Sequence, residues 1–245
     1  MCGVAAPCPA ALRRVEENGN VLRLTKKEPT SKCMPESKAP LDVFQPGLIR
    51  GAASLAFAPH KRYFYVEHPE EGWRVYLRAG TFIHEMGKPF DATRFLVVKT
   101  TGADPKGKSW EPPKGQMEGK DTNPRKDIYH NLLENVHREV EEEAKIKNLR
   151  SLHHTGIVYQ NREKDYPPNT YFQYHIFQAF IAPAELEKAQ EEFAWITEHP
   201  LAFARFKKDK REKDALTWYN GRETRMMGRW SPSIIKMYME RFDRS

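Results

Sequence analysis

The chain has 245 residues, 39% of them hydrophobic and 30% charged, and a net charge of +7. These values fit a soluble globular protein large enough to stand on one apolar core without disulfides. They exclude a membrane-spanning class, because no segment approaches the 18 consecutive apolar residues that a span needs.

The three cysteines, Cys2, Cys8 and Cys33, are odd in number, cluster near one end and lack zinc-ligand spacing. They argue against a disulfide framework and for a reducing, cytoplasmic-type compartment. Residues 1–46 carry six prolines and read as a largely irregular N-terminal extension, with Val21–Leu24 the one strand-like stretch. From Leu48 the pattern changes. Leu48–Ala58, Tyr63–Val66, Trp73–Leu77 and Arg94–Thr100 read as strands. A long helix is expected from Asn123–Pro124 to about Lys145, with Asn as cap and Pro in the first turn. Gly156–Gln160 and Tyr171–Ile181 read as strands, with Asn161–Asn169 a polar loop between them. Phe193–Ile196 reads as a short strand. Glu185–Glu192 and Pro200–Phe206 read as short helices, and Pro232–Phe242 as a helix capped by Ser231. Strands, one long helix, more strands and then helices imply an α+β fold or an α/β sandwich. The domain reading is an extension over 1–46, a catalytic domain over 47–206, and a basic, partly helical tail over 207–245.

Residues 102–109, Gly-Ala-Asp-Pro-Lys-Gly-Lys-Ser, match the P-loop pattern letter for letter. A P-loop needs a helix opening at its Lys-Ser pair, so that phosphates meet the helix N-terminus. Trp110-Glu111-Pro112-Pro113 follows at once, and consecutive prolines forbid that helix. The stretch is read as a loop.

The informative segment runs from Trp110 to Ile146. On the expected helix, Tyr129, Leu133, Val136, Val140 and Ala144 form a docking stripe at 100° per residue. Glu139, Glu142 and Glu143, at i, i+3 and i+4, share one arc, whereas Glu141 faces away toward solvent. Crowded carboxylates repel unless a cation sits among them, and a hard divalent ion bound through oxygen supplies one. Arg138 can brace a carboxylate or a phosphate. A solvated acidic helix face is the competing reading of the glutamates taken alone.

Taken together with Pro113-Lys114-Gly115-Gln116-Met117-Glu118, the segment resembles the Nudix box: Gly, five residues, Glu, seven residues, then Arg-Glu-apolar-x-Glu-Glu-x-Gly-apolar. Gly115 matches the first glycine, Glu118 a carboxylate often found three residues on, and Arg138, Glu139, Val140, Glu142, Glu143 and Ile146 the second half. There are three departures. Asp121 stands for the first Glu, sixteen residues separate it from Arg138 where the family has seven, and Lys145 replaces a glycine, which is expected to change the helix exit. The resemblance covers about Leu48–Phe206 and includes Phe193–Ile196 as a strand after the box.

The resemblance implies a mixed β-sheet sandwiched between helices and a hydrolase cleaving a phosphoanhydride in a nucleoside diphosphate-linked substrate. Glu139, Glu142 and Glu143 would hold Mg²⁺ or Mn²⁺, with the Gly115 carbonyl within reach. Glu142, Arg138 and Glu118 are the candidate catalytic residues, and Lys114 and Arg138 the candidate substrate-binding ones. Glu187, Glu191 and Glu192 are candidates for a distal base or ligand. WEPPKGQMEG is similar in wording to the box approach of dinucleoside tetraphosphate hydrolases. The basic run Arg205–Lys213, with Arg222, Arg225 and Arg229, and the aromatic Tyr171, Phe172 and Tyr174 suit RNA, so mRNA cap hydrolysis is the first alternative. A non-catalytic role in a larger assembly, reached through the terminal extensions, is the second.

Overall fold

The computed structural model describes residues 39–242. The Val21–Leu24 strand and the three cysteines fall outside the described residues. Nine strands and four α-helices follow one another: β1 Ile49–Leu55, β2 Ala58–Glu67, β3 Arg74–Glu85, β4 Leu96–Thr100, β5 Trp110–Glu111, β6 Lys114–Gln116, α1 Ile128–Ala144, β7 Arg150–Asn161, β8 Thr170–Ile181, α2 Pro183–Glu198, α3 Pro200–Phe203, β9 Lys213–Trp218 and α4 Ser231–Phe242.

The larger sheet has the order β1-β2-β3-β8-β7, and β6 continues the edge of β3 beyond β2. Its centre is the parallel pair β3–β8, in register from Arg74–Thr170 to Glu85–Ile181. Parallel strands at a sheet centre are covered on both faces, and β3 is buried along nearly its whole length. Val75, Leu77, Ala79 and Ile83 face the layer that holds α1 and the start of α2. Tyr76 and Phe82 face the other way, toward Phe95, Trp110 and Tyr238 of α4. The smaller sheet, β5-β4-β9, is antiparallel. The result is the mixed α/β sandwich that the sequence implies.

Several boundaries differ from the sequence reading. Helix α1 starts at Ile128, later than Asn123–Pro124, because Asp127 takes the capping role and accepts the His130 N–H at 2.7 Å. Asn131 binds the preceding turn back onto the helix: its Oδ1 accepts from the Asn123 N–H and its Nδ2 donates to the Asn123, Lys126 and Asp127 carbonyls. The docking stripe is Ile128, Leu132, Val136, Val140 and Ala144, with Tyr129 and Leu133 half-buried at its edge.

Phe193–Ile196 is not a strand. It lies within the last two turns of α2, whose buried Leu186, Ala189, Phe193 and Ile196 recur at helical spacing. Residues 213–218, read from sequence as part of a tail, form β9 and pair with β4 from Leu96–Trp218 to Thr100–Lys213. Residues 102–109 join β4 to β5 through turns and open no helix. No helix among the described residues is long and apolar enough to cross a membrane.

Candidate active site

The site lies where β6 meets the C-terminal half of α1. Strand β6 has only three residues, yet its position is fixed from three sides. It pairs with Arg78–Gly80 of β3, the Thr81 N–H donates to the Pro113 carbonyl, and the Lys114 N–H donates to the Glu143 carboxylate at 2.9 Å. Gly115 faces Glu139 directly. A Cβ at position 115 would lie 1.8 Å from the Glu139 carboxyl carbon, so no other residue type fits without displacing that carboxylate.

Arg138 clamps two glutamates of α1. Its guanidinium reaches Glu139 at 2.6 Å and Glu142 at 2.9 Å. Glu139 also accepts from the Asn135 amide at 3.4 Å. Burial pushes the Glu139 carboxyl up to about 7; the Arg138 charge opposes this, and the neighbouring Glu143 and Glu142 add to it. On the opposite wall Glu118 pairs with Lys61 at 2.8 Å and Lys120 at 3.0 Å. Burial would raise the Glu118 carboxyl, but these two lysines outweigh it and hold it below the usual range. Lys114, Gly115, Glu118, Arg138, Glu139 and Glu142 line one cavity of about 220 Å³, and Asp209 and Glu212 close its rim. Glu141 is exposed on the far side of α1.

Glu143 departs from the expected arrangement. It is buried, points to the other side of β6 and meets Lys213 at 3.1 Å. Lys213 also pairs with Glu111, which Lys114 contacts at 2.9 Å. Burial tends to raise the Glu111 carboxyl, yet Lys114 and Lys213 overcome it and hold the group low. For Glu143 burial prevails over Lys213, and its carboxyl is raised. Burial disfavours the Lys114 charge, but Tyr174, Glu111 and Glu143 hold it above the ordinary lysine range. Lys114, the candidate substrate ligand, is therefore first a partner of Glu111. This cluster lines a second cavity of about 570 Å³ on the far side of β6.

The oxygen-only donors Glu139, Glu142 and the Gly115 backbone are of the type that hard divalent cations take. Burial first, and then the neighbouring Glu143 and Glu142, hold the Glu139 carboxyl at a raised pKa despite Arg138, and a cation bound there would relieve both. Among the described residues no three His, Cys, Asp or Glu side chains are gathered as a ready-made cage. Both oxygens of Glu143 are engaged elsewhere, one by Lys213 and the other by the Lys114 N–H.

Glu187, Glu191 and Glu192 are not brought to the site. All three are exposed on α2 and line neither cavity. Phe172 and Tyr174 are buried against Arg78, whose guanidinium lies 4.3 Å and 5.3 Å from their ring centres. They offer no exposed stacking platform. The side chain of Asp121 lies outside the described residues. Lys61, Glu111, Asp209 and Glu212 are not among the sequence candidates, and Lys213 is among them only as the end of the basic run Arg205–Lys213. Glu111 sits inside the quoted Trp-Glu-Pro-Pro-Lys-Gly motif. Lys213 ends a basic run and begins the strand-like Lys-Asp-Ala-Leu-Thr-Trp.

The Lys145 departure has a local explanation. Lys145 itself takes the left-handed conformation at the helix end, with φ 61°, the region a glycine occupies without strain. Its Nζ donates to the Glu142 carbonyl at 2.6 Å and to the Lys210 carbonyl at 2.8 Å. The insertion before Arg138 is taken up by a turn and by the first ten residues of α1, before the clamp is reached.

No family model matches the chain, and no curated protein sequence matches it. Solved structures that match include several described as Nudix proteins. A Nudix hydrolase from Nitrosomonas europaea shares 12% identity over 69% of this chain and 88% of its own, with a TM-score of 0.38. The C. elegans Ap4A hydrolase shares 15% over 69% of this chain and 97% of its own, with a TM-score of 0.36. The Nudix domain of Shewanella oneidensis NrtR, solved with ADP ribose, shares 11% over 71% of this chain and 92% of its own, with a TM-score of 0.40.

Proposed function

We propose that the protein is a Nudix-type pyrophosphohydrolase. It cleaves a phosphoanhydride bond in a nucleoside diphosphate-linked substrate of the dinucleoside polyphosphate or nucleotide type, with Mg²⁺ or Mn²⁺. The observation that carries this reading is the contact of the two box halves: Gly115 of β6 lies against the carboxylate of Glu139 of α1, where a Cβ would meet that carboxylate. A random acidic helix face has no reason to meet a glycine strand in this way.

Glu139 and Glu142, with the Gly115 carbonyl, are the residues that would hold the metal. A metal held by these residues would supply Lewis-acid activation of water and of the phosphate. Arg138 holds the two carboxylates in one orientation and is exposed enough to meet a phosphate. Glu142 is the candidate proton acceptor for the attacking water. That water forms the new P–O bond as the bridging P–O bond breaks. Glu118, kept ionised by Lys61 and Lys120, is a third carboxylate on the facing wall. Asp209 and Glu212, on the rim, replace the α2 glutamates as distal candidates.

The test is one panel under one metal condition: dinucleoside tetraphosphate, ADP-ribose-type nucleotide sugars, capped RNA and inositol pyrophosphates, with products resolved by chromatography. Hydrolysis of the free nucleotide substrates supports the reading. Release of cap from long RNA with no action on free dinucleotides would replace it.

A further inference from the structure

The 3-10 turn Lys208–Arg211 lies beside both cavities and is anchored almost entirely through its backbone. Lys145 Nζ of the helix end donates to the Lys210 carbonyl at 2.8 Å. From the loop after β4, the Thr101 hydroxyl donates to the Arg211 carbonyl at 2.7 Å and the Thr101 N–H to the Glu212 carbonyl at 2.9 Å. Gly102 N–H donates to Asp214, which in turn pairs with Lys99. These anchors leave the side chains of Lys208 and Arg211 unused. Both are exposed, both line the 570 Å³ cavity, and neither has a carboxylate within salt-bridge distance among the described residues.

The charge of that cavity is uneven. Glu111 and Glu143 are already matched by Lys213 and Lys114. Glu212 is the one remaining carboxylate in the lining, and Lys208 and Arg211 exceed it. The cavity also shares Lys114, Gly115, Gln116 and Glu212 with the carboxylate cavity, so a single elongated anion can occupy both. Gln116 faces this junction with a buried side-chain N–H that has no hydrogen-bond partner.

We propose that Lys208 and Arg211 form a subsite for the distal phosphates of a linear polyphosphate, and so set a preference for longer phosphate chains over single diphosphates. This deepens the hydrolase reading and rests on it for the identity of the substrate. A chain cleaved at Glu139 and Glu142 continues past Gly115 and Gln116 to the two cations. An RNA strand suits the place less well. The unpaired cations are two, and Tyr174, the one aromatic residue in the lining, is buried against Arg78 and offers little ring face for stacking.

The experiment measures binding of inorganic tripolyphosphate to the full chain in EDTA, by calorimetry, with no turnover required. Wild type, Lys208→Ala/Arg211→Ala and Glu139→Gln/Glu142→Gln are compared, after thermal unfolding has shown each to be folded. The subsite predicts binding by wild type, a weakening of about tenfold or more in the lysine–arginine variant, and no weakening in the glutamate variant. No binding by wild type, equal affinity in the first variant, or an equal loss in both would overturn it. So would displacement of tripolyphosphate by a ten-nucleotide RNA at lower concentration than tripolyphosphate itself. Because catalysis plays no part, a wild type that binds as predicted but hydrolyses nothing removes the hydrolase reading and leaves the subsite standing.

Discussion

Gly115 and Glu139 approach each other so closely that a single methyl group at position 115 would overlap the glutamate carboxyl carbon. The first half of the box thus fixes where the second half places its carboxylate. Gly115→Ala must push Glu139 off its position or move β6 away from α1. The expected cost is about 1–3 kcal/mol of stability, as in other overpacked sites. Activity should fall by about two orders of magnitude, because small misplacements at a reacting centre are costly. Urea unfolding and steady-state rates measure the two effects separately.

Glu139 predicts a pH dependence of stability for the metal-free protein. Its folded value, about 7, is raised from 4.5. The folded state therefore binds the proton more tightly than the unfolded state. That contribution is complete below about pH 4.5 and is lost as the pH rises toward 7. The full effect is on the order of 3 kcal/mol. Other groups titrate in this range, so the quantity to read is wild type minus Glu139→Gln. The difference should shrink with pH between 5 and 8 in EDTA, and Mg²⁺ should restore stability at pH 8 in wild type more than in the variant.

His175 predicts the opposite sign. Burial pushes it down to about 3, with His154 beside it adding to the effect. A base with a depressed folded value stabilises the fold above its unfolded value near 6.5, and this is lost as the pH falls. Its tautomer follows from its partners. Gln173 Oε1 accepts from His175 Nε2–H at 3.0 Å, which leaves His175 Nδ1 to accept from His154 Nε2–H at 3.1 Å. His154 Nδ1 then accepts the Gly156 N–H at 3.0 Å. Nitrogen NMR at pH 5 should find His175 neutral with its proton on Nε2. A protonated ring, or a proton on Nδ1, would contradict this network.

Lys213 is expected to matter for folding more than its place in a basic run suggests. Its removal leaves Glu111 and Glu143 buried beside each other with Lys114 alone to balance them. Breaking a buried pair from one side costs about 3–5 kcal/mol, and Lys213→Ala should lose stability in that range by urea unfolding.

Lys145 gives a finer test. Its left-handed backbone favours glycine, while its Nζ holds two carbonyls. Both Lys145→Ala and Lys145→Gly lose those bonds, and only alanine keeps the backbone strain. Glycine should therefore be the more stable of the two by about 1 kcal/mol.

Much of this was legible in the sequence, for reasons that differ by element. Strand β8 and helix α1 announce themselves because an apolar run or an apolar stripe records their burial, whereas of β3 only Trp73–Leu77 is legible, since the buried Arg78, Thr81 and His84 interrupt the apolar run of its second half. The cavity residues Gly115, Glu118, Arg138, Glu139 and Glu142 were found because the box has a recognisable spacing. The errors lie where local pattern is ambiguous. Phe193–Ile196 is too short for its period to be read, and the helix before it simply continues. Strand β9 was hidden because Lys213 looks like the end of a charged run, when it is the buried counter-ion of two glutamates. That role depends on a long-range contact with Glu111, and nothing local records it. Glu143 was read with its neighbours because helical spacing places it on their arc. The side of β6 to which it turns is decided by tertiary packing.

The most direct test of the account is the rate of Mg²⁺-dependent hydrolysis of a dinucleoside tetraphosphate by wild type, Glu142→Gln and Glu141→Gln. The two substitutions remove the same charge from adjacent positions on α1, one facing the cavity and one exposed to solvent. The account predicts a loss of at least about a hundredfold for Glu142→Gln and a rate within about twofold of wild type for Glu141→Gln. Equal effects of the two substitutions, or a wild type inert toward every phosphoanhydride offered, would contradict it.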